Sequence, residues 1–305
     1  MKILVTGGAG FIGSHLCDAF IEEGHDVVVV DNLITGRRTN LNSRAAFYLI
    51  DIRARELARI FEIEQFDAVC HQAAQMDVRK SVSDPLFDAD VNVRGSINIF
   101  ENCVKYGVKR VLFASTGGAI YGEQDVFPCD ETHPCRPVSP YGITKFTTEK
   151  YLHFYNVQYG LSYTVLRYAN VYGPRQNPHG EAGVVAIFTS KLLKGEQPVI
   201  NGDGSQTRDY VYVGDVARAN VLSLHGSGSD IYNIGTGIET DVNRLFTVLN
   251  KETGGRTEEK HGPSQPGEQH RSVISGAKAE NALGFAPRIE LEEGLKRTVE
   301  SFRGN

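Results

Sequence analysis

The chain has 305 residues, 41% hydrophobic and 23% charged, with a formal net charge of −5. That length buries a sizeable core in one large or two modest domains, and the composition is that of an ordinary soluble globule. The absence of a long basic run speaks against nucleic-acid binding, no apolar stretch approaches a membrane span, and Met1-Lys2 leads straight into a strand rather than a signal peptide, so a cytoplasmic protein is expected.

Ile3-Leu4-Val5 reads as a buried strand, followed at once by Gly7-Gly8-Ala9-Gly10-Phe11-Ile12-Gly13. A strand, glycines at spacing three and a helix opening make a cradle for a dinucleotide pyrophosphate. Gly7 allows the tight turn, Gly10 lets the diphosphate approach, and Gly13 lets the helix pack close to the strand. The helix then aims its first N–H groups at the phosphates. Helical periodicity covers Ile12 to Glu23, and Gly24 stands where a C′ glycine belongs. Val27 to Val30 reads as a second buried parallel strand, ending at Asp31. A carboxylate there accepts hydrogen bonds from the adenosine ribose and repels a 2′-phosphate, so NAD is expected rather than NADP. Arg37 and Arg38 are the residues able to hold a 2′-phosphate, but Asp31 is better placed; the plainer reading of Asp31 is a loop cap.

Strands and helices go on alternating. Phe47 to Ile50 reads as strand three, ending at Asp51, with a helix from about Ala54. Ala68 to His71 reads as strand four. Asp84 and Pro85 start a helix as N-cap and first-turn proline; it runs to Tyr106 and stops at Gly107. Arg110 to Ser115 reads as strand five, Ser139-Pro140 opens a helix that Gly160 ends, and Tyr163 to Tyr168 reads as strand six. The alternation predicts an α/β fold, a Rossmann-type doubly wound parallel sheet with helices on both faces. From about Gly173 the loops lengthen. Helices are expected at Val184–Leu193, Gly214–Leu224, Asp241–Thr253 and Glu292–Phe302, and short strands at Pro198–Ile200 and Tyr210–Val213. This part reads as a smaller α/β lobe, so residues 1–172 are expected to bind the cofactor and 173–305 mainly the substrate, with some later elements returning to the first domain. Gly254 to Gly267 is the best candidate for a mobile loop. Cys17, Cys70, Cys103, Cys129 and Cys135 form no Cys-x-x-Cys pair and read as free, mostly buried thiols in a reducing compartment. The histidine and cysteine spacings suit no zinc site, and no metal is expected.

Tyr141-Gly142-Ile143-Thr144-Lys145 sets a phenol and an ammonium at i and i+4 on one helix face. A free tyrosine, with a pKa near 10, is a poor base at neutral pH. A neighbouring ammonium and the positive nicotinamide ring stabilise the phenolate, and Lys145 also reaches the nicotinamide ribose. The pair then acts as a proton acceptor beside a hydride carrier. The spacing alone is common on amphipathic helices. Its weight comes from lying one strand and one loop after Ser115-Thr116, at the sheet edge where ligands bind. Thr116 is favoured as the catalytic partner and Ser115 as a cofactor-side residue; either also suits a plain strand-end cap.

These motifs stand in order with Asp31-Asn32-Leu33, Asp51-Ile52, Gln72-Ala73-Ala74, Asn92, Asn170-Val171-Tyr172-Gly173-Pro174 and Arg208-Asp209-Tyr210-Val211. Together they resemble the extended short-chain dehydrogenase/reductase superfamily, and within it the bacterial and archaeal UDP-glucose 4-epimerases, over essentially the whole length. The resemblance implies NAD held by Gly7, Gly10, Phe11, Ile12, Gly13, Asp31, Asn32, Leu33, Thr35 and Gly36. Asp51 and Ile52 would border the adenine, and Gln72, Ala73, Ala74 and Gln75 the pyrophosphate and nicotinamide path. Asn92, Ala114, Ser115, Tyr141, Lys145 and Tyr168 would position the cofactor. For a UDP-hexose substrate it implies Thr116 and Tyr141 at the sugar, Asn170 on the diphosphate, Val184 and Ile187 at the base with Val199 to Asn201 nearby, and Arg208 on a phosphate. The implied reaction oxidises the sugar at C4, turns the 4-keto sugar over and reduces its other face. The implied assembly is a homodimer through the helices at about Pro85–Tyr106 and Tyr141–Tyr159.

Some residues bear on the choice of reaction. Gly117-Gly118 follow Thr116 where 4,6-dehydratases carry an Asp-Glu pair, which argues against elimination. A decarboxylase acting on UDP-glucuronate is a weaker rival that stays open, with Arg79 the candidate for the sugar carboxylate. Gln265-Pro266-Gly267-Glu268 has glutamine where the family has arginine, and Arg271 is the candidate replacement guanidinium for the diphosphate. Ser272 falls where some epimerases have a tyrosine, leaving room for a 2-acetamido group. Uridine and thymidine stay open. The alternative from another class, a non-catalytic NAD-binding sensor or scaffold, has no need of Thr116, Tyr141 and Lys145 together.

Overall fold

The computed structural model describes residues 1–178, 183–226, 228–255, 257–264 and 269–304. The apolar runs at the start form β1 (Lys2–Thr6) and β2 (Asp26–Asp31), joined by α1 (Phe11–Glu22). Gly24 takes φ +81° just beyond α1 and ends it. β3 (Ala46–Leu49), α2 (Leu57–Glu64) and β4 (Ala68–His71) follow. Then come α3 (Val78–Ser83) and α4 (Pro85–Ala89), whose caps Asp77 and Asp84 accept the N–H groups of Lys80 and Phe87 at 2.8 and 3.0 Å. The helix expected from Pro85 to Tyr106 is not uniform. A π-helical turn, Asp90–Arg94, separates α4 from α5 (Gly95–Lys105), and such turns often occur at functional sites. The six-residue α3 is too short to leave a readable period.

The second half of the sheet is built from β5 (Arg110–Thr116), α6 (Gly117–Ile120), α7 (Pro140–Tyr159) and β6 (Ser162–Tyr168). Ser139 Oγ accepts the Gly142 N–H at 3.2 Å to start α7. The remaining elements are β7 (Asn170–Tyr172), α8 (Val184–Leu193), β8 (Ile200–Asn201), β9 (Thr207–Tyr212), α9 (Val213–Leu224), β10 (Asp230–Ile234), β11 (Glu239–Asp241), α10 (Val242–Thr253), β12 (His261–Gly262), β13 (Arg271–Ser272), α11 (Ala277–Leu283) and α12 (Leu291–Arg303). The strand expected from Pro198 starts two residues later, since proline has no N–H for a ladder. The strand expected at Tyr210 starts earlier, at Thr207, because its polar first residues pair with distant β11 and β13.

Seven parallel strands form the main sheet in the order β10-β6-β5-β4-β1-β2-β3. The order reverses between β1 and β4, which opens a crevice at their carboxyl ends. A smaller sheet has β11, β9 and β13 side by side, with β7 also pairing with β9, and β12 pairs with β8. Strand alternation sends Leu4, Val28, Val30 and Val111 to one face, packed on Phe61, Phe100 and Tyr155. Ile3, Val5, Val27 and Leu112 go to the other, packed on Leu16 and Phe20 of α1 and on Ala217 and Leu224 of α9. A separate core joins Phe188 of α8, Tyr210 of β9, Phe246 of α10 and Leu295 of α12. Burying each large apolar side chain is worth about 1.5–3 kcal/mol. All five cysteines are free thiols, and four of them are buried.

Candidate active site

At the end of β1 the chain turns at Gly7, with φ +71°. A Cβ on Gly7 would lie 2.8 Å from the Ala73 nitrogen, and one on Gly13 would lie 2.2 Å from the Gly7 oxygen. Among the described residues, a Cβ on Gly10 would meet only the Gly7 oxygen, at 3.1 Å. Gly10 therefore faces open space beside the first turn of α1, whose N–H groups have no partner within the helix. This arrangement fits a dinucleotide diphosphate.

The surrounding cleft has a volume of about 430 Å³. Every residue expected at the cofactor lines it except Leu33, Gly36 and Asn92, which instead touch residues that do: Asp31 for the first two and Gln75 for the third. Asp31 is 8% exposed; its Oδ2 accepts the Ala9 N–H at 3.0 Å and its Oδ1 the Leu33 N–H at 2.8 Å. Leu33 takes φ +58°, and a Cβ on Gly36 would sit 2.9 Å from Asp31 Oδ1. Asp31 thus caps its loop, and each oxygen keeps a lone pair for a ribose hydroxyl. Hydrogen bonding from Arg53 holds the Asp51 carboxyl well below the usual range, and Asn32 Nδ2 donates to it at 2.9 Å. Asn92, in the π turn, accepts the Gln75 N–H at 2.8 Å and donates to the Gln75 oxygen at 2.9 Å, which fixes that stretch of wall. Tyr168 turns its hydroxyl inward, where Asn220 donates to it at 2.9 Å.

The cleft also takes in residues that sequence reasoning did not single out. Arg175, Gln176 and Asn177 line it, and their signal was adjacency to the Asn170–Pro174 motif. Met76, Lys80, Phe87 and Val91 line it too; they come from the loop before α3, from α3, α4 and the π turn, whose facing is a tertiary matter.

A buried brace lies under the floor. Thr6 Oγ1 and His71 Nδ1 are 2.7 Å apart, and His71 Nε2 and Ser96 Oγ are 2.9 Å apart. Ser96 donates onward to the Asn92 carbonyl, so Nε2 carries the imidazole proton and Thr6 donates to Nδ1. Burial, with the Lys145 charge nearby, pushes the His71 pKa down to about 3. The unfolded chain has a value near 6.5 and binds a proton in that window that the folded chain refuses. This contribution to stability is complete above pH 6.5 and is lost as pH falls towards 3. It amounts to about 2 kcal/mol by pH 5. The melting temperature of His71→Gln should therefore fall less steeply between pH 7 and pH 5 than that of the wild type; parallel curves would refute it.

α7 places Tyr141 in its first turn and Lys145 one turn on. Lys145 is 3% exposed; its Nζ donates to the Ala114 oxygen at 2.9 Å and lies 6.0 Å from the Tyr141 ring centroid. Burial pushes its pKa down to about 8 against the upward pull of Asp88 and Glu149. An ammonium so placed favours the phenolate. The two strand-end hydroxyls differ. Ser115 Oγ donates to Glu149 Oε1 at 2.6 Å, whereas Thr116 Oγ1 accepts the Ala119 N–H at 3.2 Å and keeps its own proton to donate.

Of the residues expected at the substrate, Tyr141 lines the large cleft and Thr116 ends β5, while the others lie on or beside α8 and the smaller strands, outside that cleft. Asn170 Oδ1 and Thr116 Oγ1 lie 3.7 and 3.9 Å from where a Gly118 Cβ would stand, so β7 brings Asn170 beside Thr116. Val184 and Ile187 share one side of α8, Asn201 is on β8, and Val199 just precedes it. Arg208 Nη1 donates to the Thr207 oxygen at 2.7 Å. Arg271 engages Glu239 with both arms, Nε to Oε1 and Nη2 to Oε2, each at 2.8 Å, and stacks 3.8 Å from the Phe127 ring centroid. Ser272 is buried on β13 in register with Arg208. Gln265-Pro266-Gly267-Glu268 lie outside the described residues.

The chain is similar to known proteins over its whole length. Residues 3–235 match the model of the NAD dependent epimerase/dehydratase family. The UDP-glucose 4-epimerase of Mycolicibacterium smegmatis is 42% identical over 309 residues, covering 99% of each chain. The crystal structure of a Thermotoga maritima UDP-glucose 4-epimerase with UDP-glucose is 53% identical, with a TM-score of 0.98 over 100% of this chain and 99% of that one. The Thermus thermophilus UDP-glucose 4-epimerase in complex with NAD is 45% identical, with a TM-score of 0.94 over 100% and 99%. The chain belongs to the NAD-dependent epimerase/dehydratase family.

Proposed function

We propose that the chain is an NAD-dependent UDP-glucose 4-epimerase. One observation carries the reading: a buried ammonium, Lys145, stands one helical turn from Tyr141 at a cleft whose glycine cradle admits no side chains at Gly7 and Gly13. The cleft residues would hold NAD, which would supply the reversible hydride transfer that inversion at the sugar C4 needs. Tyr141 accepts the proton of the 4-hydroxyl and later gives it back. Lys145 keeps the phenolate accessible, and the Thr116 hydroxyl hydrogen-bonds the reacting oxygen. Asn170 and Arg208 hold the diphosphate, joined by Arg271 on its release from Glu239, while Val184, Ile187, Val199 and Asn201 border the base. In this reading residues 1–172 serve the cofactor and 173–305 mainly the substrate.

The elimination chemistry of a dehydratase is disfavoured because Gly117 and Gly118 carry no carboxylate where it needs an Asp-Glu pair, and a Cβ on Gly117 would stand 2.7 Å from Ile274 Cδ1, so that side chain would have to move for a larger residue. The enzyme is read as a cytoplasmic homodimer. Val82, Leu86, Ile143, Phe154 and Val157 are exposed on α3, α4 and α7 and would be covered in such a dimer.

The test is incubation of pure protein with UDP-glucose, UDP-galactose, dTDP-glucose and their 2-acetamido counterparts, with products identified by NMR. Interconversion of UDP-glucose and UDP-galactose is expected, and no inversion of any of them would end the reading. UDP-N-acetylglucosamine should turn over as well, since Ser272 is small, and Ser272→Tyr should abolish that activity alone. The extra methyl of thymidine is worth only about 1–3 kcal/mol, so dTDP-glucose should be a slower substrate rather than an inert one.

A further inference from the structure

An ion pair lies directly behind Lys145, and the reaction as derived makes no use of it. Glu149 is one turn further along α7, and Arg167 comes from β6; their side chains are 1% and 4% exposed. Arg167 Nη2 meets Glu149 Oε2 at 2.6 Å and Nε meets Oε1 at 3.0 Å. Oε1 also accepts the Ser115 hydroxyl at 2.6 Å. On its far side Arg167 Nη1 donates to Tyr121 Oη at 2.9 Å, and Tyr121 donates to Asn233 Oδ1 at 2.7 Å. Burying two ions is costly, and an apolar pair of the same volume is often no less stable. Stability alone therefore gives no reason for the pair.

We infer that Glu149 is a positioning residue: it holds the Ser115 hydroxyl away from the substrate, leaving Thr116 to face it, and fixes a negative charge one turn behind Lys145. The inference rests on Tyr141 and Lys145 being the reacting pair. Each element packed around Lys145 presents it a polar or aromatic group. α4 presents Asp88, whose carboxylate already accepts from Thr144 at 2.7 Å, Gln75 at 2.9 Å and Asn92 at 3.1 Å. β4 presents His71, which burial keeps neutral. β5 presents the Ala114 carbonyl and the Phe113 ring. α7 itself presents Tyr141 and Glu149. Around Glu149 stand Arg167 and Tyr163 of β6, Ser115 of β5 and the Cys135 thiol. The charges thus balance as two carboxylates, Asp88 and Glu149, against two cations, Lys145 and Arg167. With Glu149 gone, Lys145 would keep its proton less well and the phenolate would lose its partner at lower pH.

The experiment compares the pH dependence of kcat in wild type, Glu149→Gln, Arg167→Met and the double variant, with melting temperature and bound NAD measured alongside. Glu149→Gln should move the alkaline limb down by about one pH unit, and the double variant, which loses a cation as well, should move it down by less. Above the limb kcat of Glu149→Gln should then be about tenfold lower with KM unchanged, since one unit of pKa is a factor of ten. Arg167→Met, which leaves the carboxylate without its guanidinium, should move the limb up. The position of the limb does not depend on how much of a sample is folded, so unstable single variants still report. Limbs that coincide in all four proteins, whatever their melting temperatures, would make the pair purely structural and overturn the inference. Wild-type protein inert on UDP-glucose would overturn the functional reading first, and this inference with it.

Discussion

Tyr141→Phe should leave a folded protein that retains NAD and inverts C4 about 10²–10⁴-fold more slowly, the usual contribution of a positioned acid–base group. The change removes one oxygen and keeps the ring. The Tyr141 backbone N–H still donates to Ser81 Oγ at 3.2 Å, and Lys145 still donates to the Ala114 carbonyl. Stability should shift by no more than about 0.5 kcal/mol, as for a substitution that opens no cavity and strands no buried charge. The loss should fall on kcat, because the phenol is needed only while the proton moves. Steady-state kinetics with UDP-galactose and NAD released by acid precipitation measure both halves. Activity within a few-fold of wild type would remove Tyr141 from the role of base. Activity lost together with NAD would make it a cofactor-binding residue instead.

Gly13→Ala should strip the protein of its cofactor. Helix propensity alone points the other way, since alanine in α1 is favoured over glycine by about 1 kcal/mol. Packing reverses the sign. The new methyl would lie 2.2 Å from the Gly7 oxygen and 2.8 Å from its carbon, and both are backbone atoms with no rotamer to change. The Gly7 carbonyl accepts the Gly10 N–H at 3.0 Å, so the cradle and the start of α1 must move together. Overpacking of this kind costs about 1–3 kcal/mol. Displaced N–H groups no longer converge on a diphosphate, so NAD affinity should fall about tenfold or more. The measurement is NAD content after gel filtration, with melting temperature beside it. A Gly13→Ala protein with one NAD per chain and an unchanged melting temperature would show that the cradle has slack the structure does not.

Much of the fold could be read directly because its signals are local. The valine run of β2, the glycines after β1, the Asp84 and Ser139 caps and the left-handed glycines Gly24 and Gly160 act within a few residues of themselves. The elements that escaped reading owe their form to distant partners. β10 is a strand because β6 offers it a parallel edge, and Thr207 to Asp209 extend β9 because β11 and β13 pair with them. The π turn was invisible because it holds Asn92 against Gln75, which lies 17 residues away.

The candidate site divides along the same line. The cradle, Asp31 and the Tyr141–Lys145 spacing are patterns of sequence, since each depends on one strand, turn or helix face. Composition and order alone therefore determined the class of fold and the kind of ligand it is built to cradle. The burial of Lys145, the commitment of Ser115 to Glu149 while Thr116 keeps a proton to donate, and the capture of Arg271 by Glu239 were decided by the tertiary structure. A pattern along the chain specifies which groups are present and which way a helix or strand turns them. The charge and hydrogen-bond partners of a group depend on what the rest of the fold packs against it, and here those partners come from residues 31 to 34 positions away in the chain.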